Sequence, residues 1–85
     1  MTTLYDWQKE FYIGLLLDQA VAYNQREAPS GQPHMERIYL NTSRDLLLQA
    51  RAMLENLPQD SIFREYATER CRRFLEVVEY NLERL

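Results

Sequence analysis

The sequence predicts an all-α protein, a three-helix up-down-up bundle that forms one domain over residues 1–85. Apolar residues recur at steps of three and four along most of the chain, which is the period of an amphipathic helix, and no stretch is typical of a strand. Proline and glycine interrupt this pattern at residues 27–33 and at Pro58, so three helices fit between the interruptions. Eighty-five residues form only a small core, which association with another chain would supplement.

The first helix is predicted over residues 4–25, and Thr2 or Thr3 would cap its first turn by accepting a backbone hydrogen bond. The loop that follows contains Pro29, Gly31 and Pro33 and would reverse the chain. Its length, about seven residues, is typical of an antiparallel helical hairpin.

The first helix carries apolar residues on more than one side. Besides a broad arc that includes Phe11 and Leu15, a second ridge of side chains four residues apart is formed by Ile13, Leu17 and Val21, and Trp7 lies beside acidic residues. A helix that faces only one core needs an apolar stripe of roughly 100°. The excess predicts self-association through Trp7, Ile13, Leu17 and Val21, as a homodimer or larger helical assembly. The alternative is that the second or third helix of the same chain covers the ridge.

Gly14 interrupts the first helix beside its acidic side. A glycine inside a helix costs about 1 kcal/mol relative to alanine, because its backbone loses more freedom on folding. Close approach of another helix would offset this cost. The alternative is that Gly14 is merely tolerated.

The second helix is predicted over residues 33–57, with Pro33 in its first turn, where a missing N–H is no loss. Its predicted core face keeps to steps of three and four: Met35, Ile38, Tyr39, Thr42, Leu46, Ala50, Met53 and Leu57. A flank of Leu40, Leu47 and Leu54 indicates a second neighbour. The segment 42–45, Thr-Ser-Arg-Asp, also matches a helix start, so a kink or break near residues 41–43 is the alternative to a continuous helix.

The third helix is predicted over residues 58–84, with Pro58 in its first turn. Its predicted core face consists of Phe63, Ala67, Cys71, Phe74, Val78, Leu82 and Leu85. Glutamates occupy one flank, which we interpret as a solvated surface: Glu65, Glu69, Glu76, Glu79 and Glu83.

The other flank of the third helix alternates tyrosine and arginine, and we call it the Tyr/Arg row: Tyr66, Arg70, Arg73, Val77 and Tyr80. Guanidinium groups bind carboxylates or phosphates, and tyrosine rings provide flat contact surfaces. Tyr66, Arg70, Arg73 and Tyr80 are therefore candidate residues for binding an acidic protein partner. The same row could serve a regulator that binds nucleic acid or a nucleotide. The structural alternative has Tyr66 and Val77 packing inward, with both arginines paired to acids of the other helices.

Composition narrows the possible functions. A net charge of −3 argues against a general nucleic-acid binder. The uninterrupted apolar run 11–17 is too short for a membrane span. One cysteine, Cys71, allows no internal disulfide, and the N-terminal segment does not resemble a secretion signal, so a cytoplasmic location is expected. The single histidine, His34, is not spaced for catalysis with Cys71.

We therefore expect no enzymatic activity, no cofactor and no metal. The sequence favours a small protein-binding protein of the adaptor, inhibitor, immunity or assembly-factor type. Its partner would be another copy of itself, another protein, or both.

Overall fold

The fold was described from a computed structural model that covers residues 5–26 and 31–85. It contains three helices, α1 (Asp6–Gln25), α2 (His34–Leu54) and α3 (Ile62–Glu83), and no strand within those ranges. The helix α2 packs against both neighbours, whereas α1 and α3 contact each other less extensively. The predicted all-α three-helix bundle is confirmed.

Two polar contacts between α1 and α3 show how these helices run. Near their N-terminal ends, the Ser61 hydroxyl donates a hydrogen bond to Glu10 Oε1 at 3.4 Å. Near their C-terminal ends, Asn81 Nδ2 donates to Asn24 Oδ1 at 3.3 Å. Because their N-terminal ends lie together and their C-terminal ends lie together, α1 and α3 run side by side in the same direction, as the up-down-up prediction requires.

The helix α1 ends at Gln25, as predicted. At its start, the Tyr5 N–H donates to Gln8 Oε1 at 2.8 Å, which satisfies a backbone group ahead of the first turn. The predicted caps, Thr2 and Thr3, lie outside the described residues. In the following connection Gly31 has a φ of 83°, in the left-handed region that glycine adopts without strain.

The helix α2 passes through residues 41–43 without a break, so the continuous interpretation is confirmed. The Thr42 hydroxyl donates to the Ile38 carbonyl at 2.9 Å, one helical turn earlier, instead of capping a new helix. The C-terminal end lies at Leu54, three residues before the predicted one. There the Asn56 and Leu57 N–H groups bond to carbonyls three residues back, which tightens the chain into a turn.

The buried face of α2 differs from the predicted one by a rotation about the helix axis. Leu40, Leu47 and Leu54, predicted as a flank, are buried, whereas Ile38, predicted as core, is 49% exposed. The reason is that α2 has a neighbour on each side. Its Ser43 side chain bonds to α1, and its Leu47 carbonyl accepts a hydrogen bond from α3, so the most deeply buried line runs between the two contacts.

The prediction that α3 begins at Pro58 was wrong, because residues 58–60 form a turn and the helix begins at Ile62. The Ser61 N–H donates to the Pro58 carbonyl, and the Ser61 hydroxyl accepts a hydrogen bond from the Arg64 N–H at 3.2 Å. Ser61 therefore caps the helix, because its side chain accepts a hydrogen bond from a first-turn N–H group. Pro58 has no side-chain acceptor and could not serve as such a cap. The predicted core face of α3 did not include Leu75, which is buried. The prediction that Leu85 belongs to the core was wrong, because Leu85 is exposed.

The core is one cluster to which all three helices contribute. Its buried apolar residues are Ile13, Leu16, Leu17, Ala20, Leu40, Leu47, Ala50, Leu54, Leu57, Ala67, Cys71, Leu75 and Val78. Partly buried side chains cover its margin: Leu46, Met53, Phe63, Phe74 and Leu82. The sides of α1 and α3 that point away from α2 are therefore not part of the core.

Candidate protein-binding surface

The side of α1 that points away from the core is apolar. Trp7, Phe11 and Leu15 are 65%, 66% and 43% exposed, and their spacing of four residues places them in one line along the helix. We call these three residues the outer face of α1. Large exposed apolar groups in a contiguous arrangement mark interaction surfaces in monomeric proteins.

The ridge proposed for self-association lies on the opposite side of α1, and the structure divides it. Ile13 and Leu17 are fully buried in the core, and Val21 is half-buried. Contacts from α2 to Ala20 and from α3 to Glu10 and Asn24 bring both helices to this side. The intrachain alternative therefore accounts for Ile13 and Leu17, and Trp7 is the exposed member of the predicted set.

Gly14 is not explained by contacts within the chain. A Cβ atom built on it would have no atom within 4 Å among the described residues outside its own helical surroundings. The close helix approach that could offset its cost is thus not made by α2 or α3. Any such approach would have to come from another molecule.

The Tyr/Arg row lies on the exposed side of α3. Tyr66 and Tyr80 are 60% and 58% exposed, and Val77 is also exposed, so the alternative in which Tyr66 and Val77 pack inward is wrong. One turn before Tyr66, Ile62 extends the row with another highly exposed apolar side chain. The row thus offers aromatic and aliphatic surface interspersed with arginine.

Two arginines of α3, Arg72 and Arg73, pair with acids of their own helix. Arg73 Nε donates to Glu69 Oε1 at 3.1 Å, and Arg72 bridges Glu69 and Glu76 at 2.6 Å each. The expectation of acids from the first or second helix was therefore wrong for Arg73. The hydrogen bond from Arg72 lowers the pKa of Glu69, and the same pair raises the pKa of Arg72.

Arg70 differs from these two arginines. Its guanidinium lies 5.3 Å from the centre of the Phe74 ring, a cation–π contact, and within the described part of the chain it has no salt bridge to a carboxylate. A shallow depression on this surface is lined by Ile62, Glu65, Tyr66, Glu69, Arg70 and Arg73. Because all of these belong to one helix, a ligand would rest on the surface rather than enter a cavity.

Cys71 and His34 occupy different settings. Cys71 is buried, its thiol donates to the Leu47 carbonyl at 3.2 Å, and burial raises its pKa against the opposing effect of Arg51. A protonated, buried thiol is a poor nucleophile. His34 is exposed at the start of α2. Within residues 5–26 and 31–85, no three His, Cys, Asp or Glu side chains are grouped to hold a metal ion, and no helix is long and apolar enough to cross a membrane.

Comparison with protein-family models, with curated proteins and with solved structures finds no match to this chain. The surface must therefore be interpreted from its own residues. The sequence prediction placed Phe11 and Leu15 in the broad apolar arc of the first helix without assigning them to a partner surface, and it did not include Ile62. The signal for all three residues was their helical spacing. Phe11 and Leu15 follow Trp7 by four and eight residues, and Ile62 precedes Tyr66 by four, so each lies on the same side of its helix as that exposed aromatic residue.

Proposed function

We propose that this chain is a small, non-enzymatic protein-binding protein that acts through the outer surfaces of α1 and α3, with a second copy of itself as one partner. The observation that carries the proposal is the exposed line of Trp7, Phe11 and Leu15 on α1. Aromatic residues are enriched at protein interfaces, because they bury a large area with few rotatable bonds.

The Tyr/Arg row supports the same proposal from α3. Tyr, Trp and Arg are the residue types that most often dominate binding energy at interfaces, and Tyr66, Arg73 and Tyr80 place two of them on one exposed line. An adaptor, inhibitor, immunity protein or assembly factor could use such a surface to cover or bridge another protein. A cytoplasmic location is part of the proposal, because the only cysteine, Cys71, is a free thiol.

Light scattering of the purified protein over a hundredfold concentration range tests the proposal. We expect a mass above the 10.2 kDa of one chain that decreases on dilution. Phe11→Glu should shift the protein to the monomer, since a buried unpaired carboxylate opposes association. Leu48→Glu is the matched control, because Leu48 is also a large, exposed apolar residue but lies on α2.

The single tryptophan provides a second readout of the same event. Trp7 emission should shift to shorter wavelength as the protein is concentrated, because association would remove the ring from water. A mass of one chain at every concentration, with unchanged Trp7 emission, would contradict self-association. An equal loss of association in Phe11→Glu and Leu48→Glu would contradict the assignment to the outer face of α1.

Nucleic-acid or nucleotide binding is the alternative use of the Tyr/Arg row. The net charge of −3 weakens it, because a nucleic-acid backbone is also negatively charged. Binding to an oligonucleotide should weaken steeply as salt is raised if phosphate contacts drive it. No binding at low salt would remove this alternative.

A further inference from the structure

We propose that two copies associate about a two-fold axis parallel to their helices, so that α1 of each subunit packs in parallel against α3 of the other. This inference rests on the proposed function and specifies its arrangement. It assigns the outer face of α1 and the Tyr/Arg row to one interface in which each row covers the other.

The fold places both rows on one side of the molecule. The helices α1 and α3 are parallel neighbours, joined through Glu10 to Ser61 and through Asn24 to Asn81. Both contact α2 through buried groups, Ala20 on α1 and Cys71 on α3. The exposed rows lie on the sides of α1 and α3 opposite these contacts. A second subunit can therefore meet both rows at once.

The register of the two rows matches. The exposed α1 residues 7, 11, 15, 18 and 22 correspond to α3 residues 62, 66, 70, 73 and 77, each 55 positions later in the chain. These α3 residues are exposed except Arg70, which is half-buried. The intrachain contacts join residues 51 and 57 positions apart, so residues separated by about 55 lie at the same height along the bundle. A two-fold axis parallel to the helices preserves height. Residues of equal height on α1 and α3 would then meet across the dimer.

This register places apolar groups opposite apolar groups. Trp7 would meet the partner's Ile62, Phe11 the partner's Tyr66, and Ala22 the partner's Val77. Aromatic and aliphatic side chains of this kind form the dry centre of stable interfaces. Leu15 would lie against the partner's Arg70, whose aliphatic stem can cover it.

Charge complementarity selects a second copy as the occupant. Asp18 is exposed, lies three residues after Leu15 beside the outer face of α1, and has no salt bridge among the described residues. In the same register it faces the partner's Arg73. In its own chain Arg73 uses Nε for Glu69, which leaves the two terminal amino groups of its guanidinium for a second carboxylate.

A two-fold axis perpendicular to the helices gives a different result. It would pack α1 against α1 of the other copy in the opposite direction, so that Asp18 would lie against the acidic α1 of the partner and away from the partner's Arg73. Like charges at an interface oppose association. The parallel arrangement avoids this repulsion.

Charge exchange tests the arrangement. Asp18→Arg and Arg73→Asp should each weaken the dimer, raising the dissociation constant about tenfold or more, since two attractive pairs become repulsive ones. An equimolar mixture of the two variants should recover wild-type affinity, because a dimer with one chain of each kind has both pairs restored. Asp45→Arg is the control, because Asp45 is an exposed acid on α2 and should change nothing. Circular dichroism of each variant should show unchanged helix content.

Each outcome separates the arrangement from the proposed function. Recovery in the mixture supports the parallel dimer. Weak dimers that do not recover on mixing overturn the arrangement, while concentration-dependent mass in the wild type would still support protein binding. A wild type that is monomeric throughout overturns both the dimer and self-association, and it assigns the surface to a different protein.

Disulfide cross-linking tests the direction independently. A mixture of Ala22→Cys and Val77→Cys proteins should give a cross-linked dimer on mild oxidation, because these positions are opposite each other in the parallel register. A mixture of Ala22→Cys and Trp7→Cys should not, because these positions lie 15 residues apart along α1 and so differ in height by about 22 Å in the parallel register. Cross-linking of the second mixture alone would overturn the proposal in favour of α1 packing against α1 in opposite directions. The wild-type protein, whose Cys71 is buried, is the control.

Discussion

The Ser43 hydroxyl joins α2 to α1 in the centre of the protein. It is fully buried and donates a hydrogen bond of 2.6 Å to the Ala20 carbonyl. Both residues are small, so the two backbones can approach closely at this point. The hydroxyl thus has a packing role and a hydrogen-bonding role at a single position.

Ser43→Ala should lower the free energy of unfolding by about 1 kcal/mol, the usual net contribution of one hydrogen bond. The loss should stay modest, because the Ala20 carbonyl can keep its bond within α1. Ser43→Leu should cost more, about 1–3 kcal/mol, since the added carbons have no space. Urea unfolding of both variants measures these differences. A stability for Ser43→Leu equal to that of the wild type would contradict the tight contact.

The sequence could not identify this role of Ser43. Thr42 and Ser43 lie in a polar segment, residues 41–45, that matches both a helix start and a helix interior. The distinction depends on what lies opposite Ser43, which is a carbonyl 23 residues earlier in the chain. Local pattern contains no information about such a partner. The apolar period through residue 42 predicted only that the helix continues.

The helix α1 contains a local weakness at Gly14. Because a Cβ built there meets no atom within 4 Å, Gly14→Ala should stabilise the folded chain by about 1 kcal/mol through helix propensity alone. The change is best measured by urea unfolding in the Phe11→Glu background, where association is removed. In the otherwise wild-type chain, weaker association of Gly14→Ala would show that a partner approaches this glycine. Destabilisation in the Phe11→Glu background would contradict the open space at Gly14.

The glutamate flank of α3 is partly an ion-pair network, centred on Glu69 with Arg72 and Arg73. Hydrogen bonding to Arg72 lowers the pKa of Glu69 in the folded state. The ion pairs of Glu69 therefore stabilise the folded state when the pH is above the pKa that Glu69 has in the unfolded chain. This stabilisation is lost as the pH falls through the lower pKa that Glu69 has in the folded chain. The contribution is small, because the pairs are exposed and salt screens them.

Unfolding midpoints in urea across an acid pH series check this prediction. The wild type should lose stability on acidification more steeply than Glu69→Gln, and added salt should reduce the difference. Asp45→Asn is the control, because Asp45 is exposed and has no salt bridge among the described residues. An identical pH dependence of the wild type and Glu69→Gln would show that the network does not contribute.

At the scale of elements, the sequence predicted which segments are helical but not how each helix is rotated. The period placed three helices correctly because it is a property of each segment alone. The rotation of α2 depends on two neighbours, so the Leu40, Leu47 and Leu54 line became the buried one. The start of α3 depended on two competing local signals, Pro58 and Ser61, of which the side-chain cap prevailed.

The candidate surface was predictable only in part, for the same reason. The excess of apolar residues on α1 was visible in the sequence, as was the Tyr/Arg row of α3. Which apolar side of α1 faces outward followed from the positions of α2 and α3. Ile13 and Leu17 are buried and Phe11 and Leu15 are exposed because the α1 contacts to Ser43 and Asn81 fall on one side.

For the whole molecule, association and folding should be coupled. The small core leaves Trp7, Phe11 and Leu15 in water, and covering them in a dimer would stabilise the folded state by mass action. The thermal midpoint of the wild type should therefore rise by a few degrees as the protein concentration is raised a hundredfold. In Phe11→Glu the midpoint should not depend on concentration.

Differential scanning fluorimetry or circular dichroism over that concentration range provides the measurement, and Leu48→Glu is again the control that should behave as the wild type does. The unfolded chains are separate whereas the folded chains are paired, so dilution favours unfolding only if a dimer exists. A concentration-independent midpoint in the wild type would mean that the core alone supports the fold. The outer face of α1 would then contribute nothing to the stability of the isolated protein, and its exposed aromatic residues would be available only to a different partner.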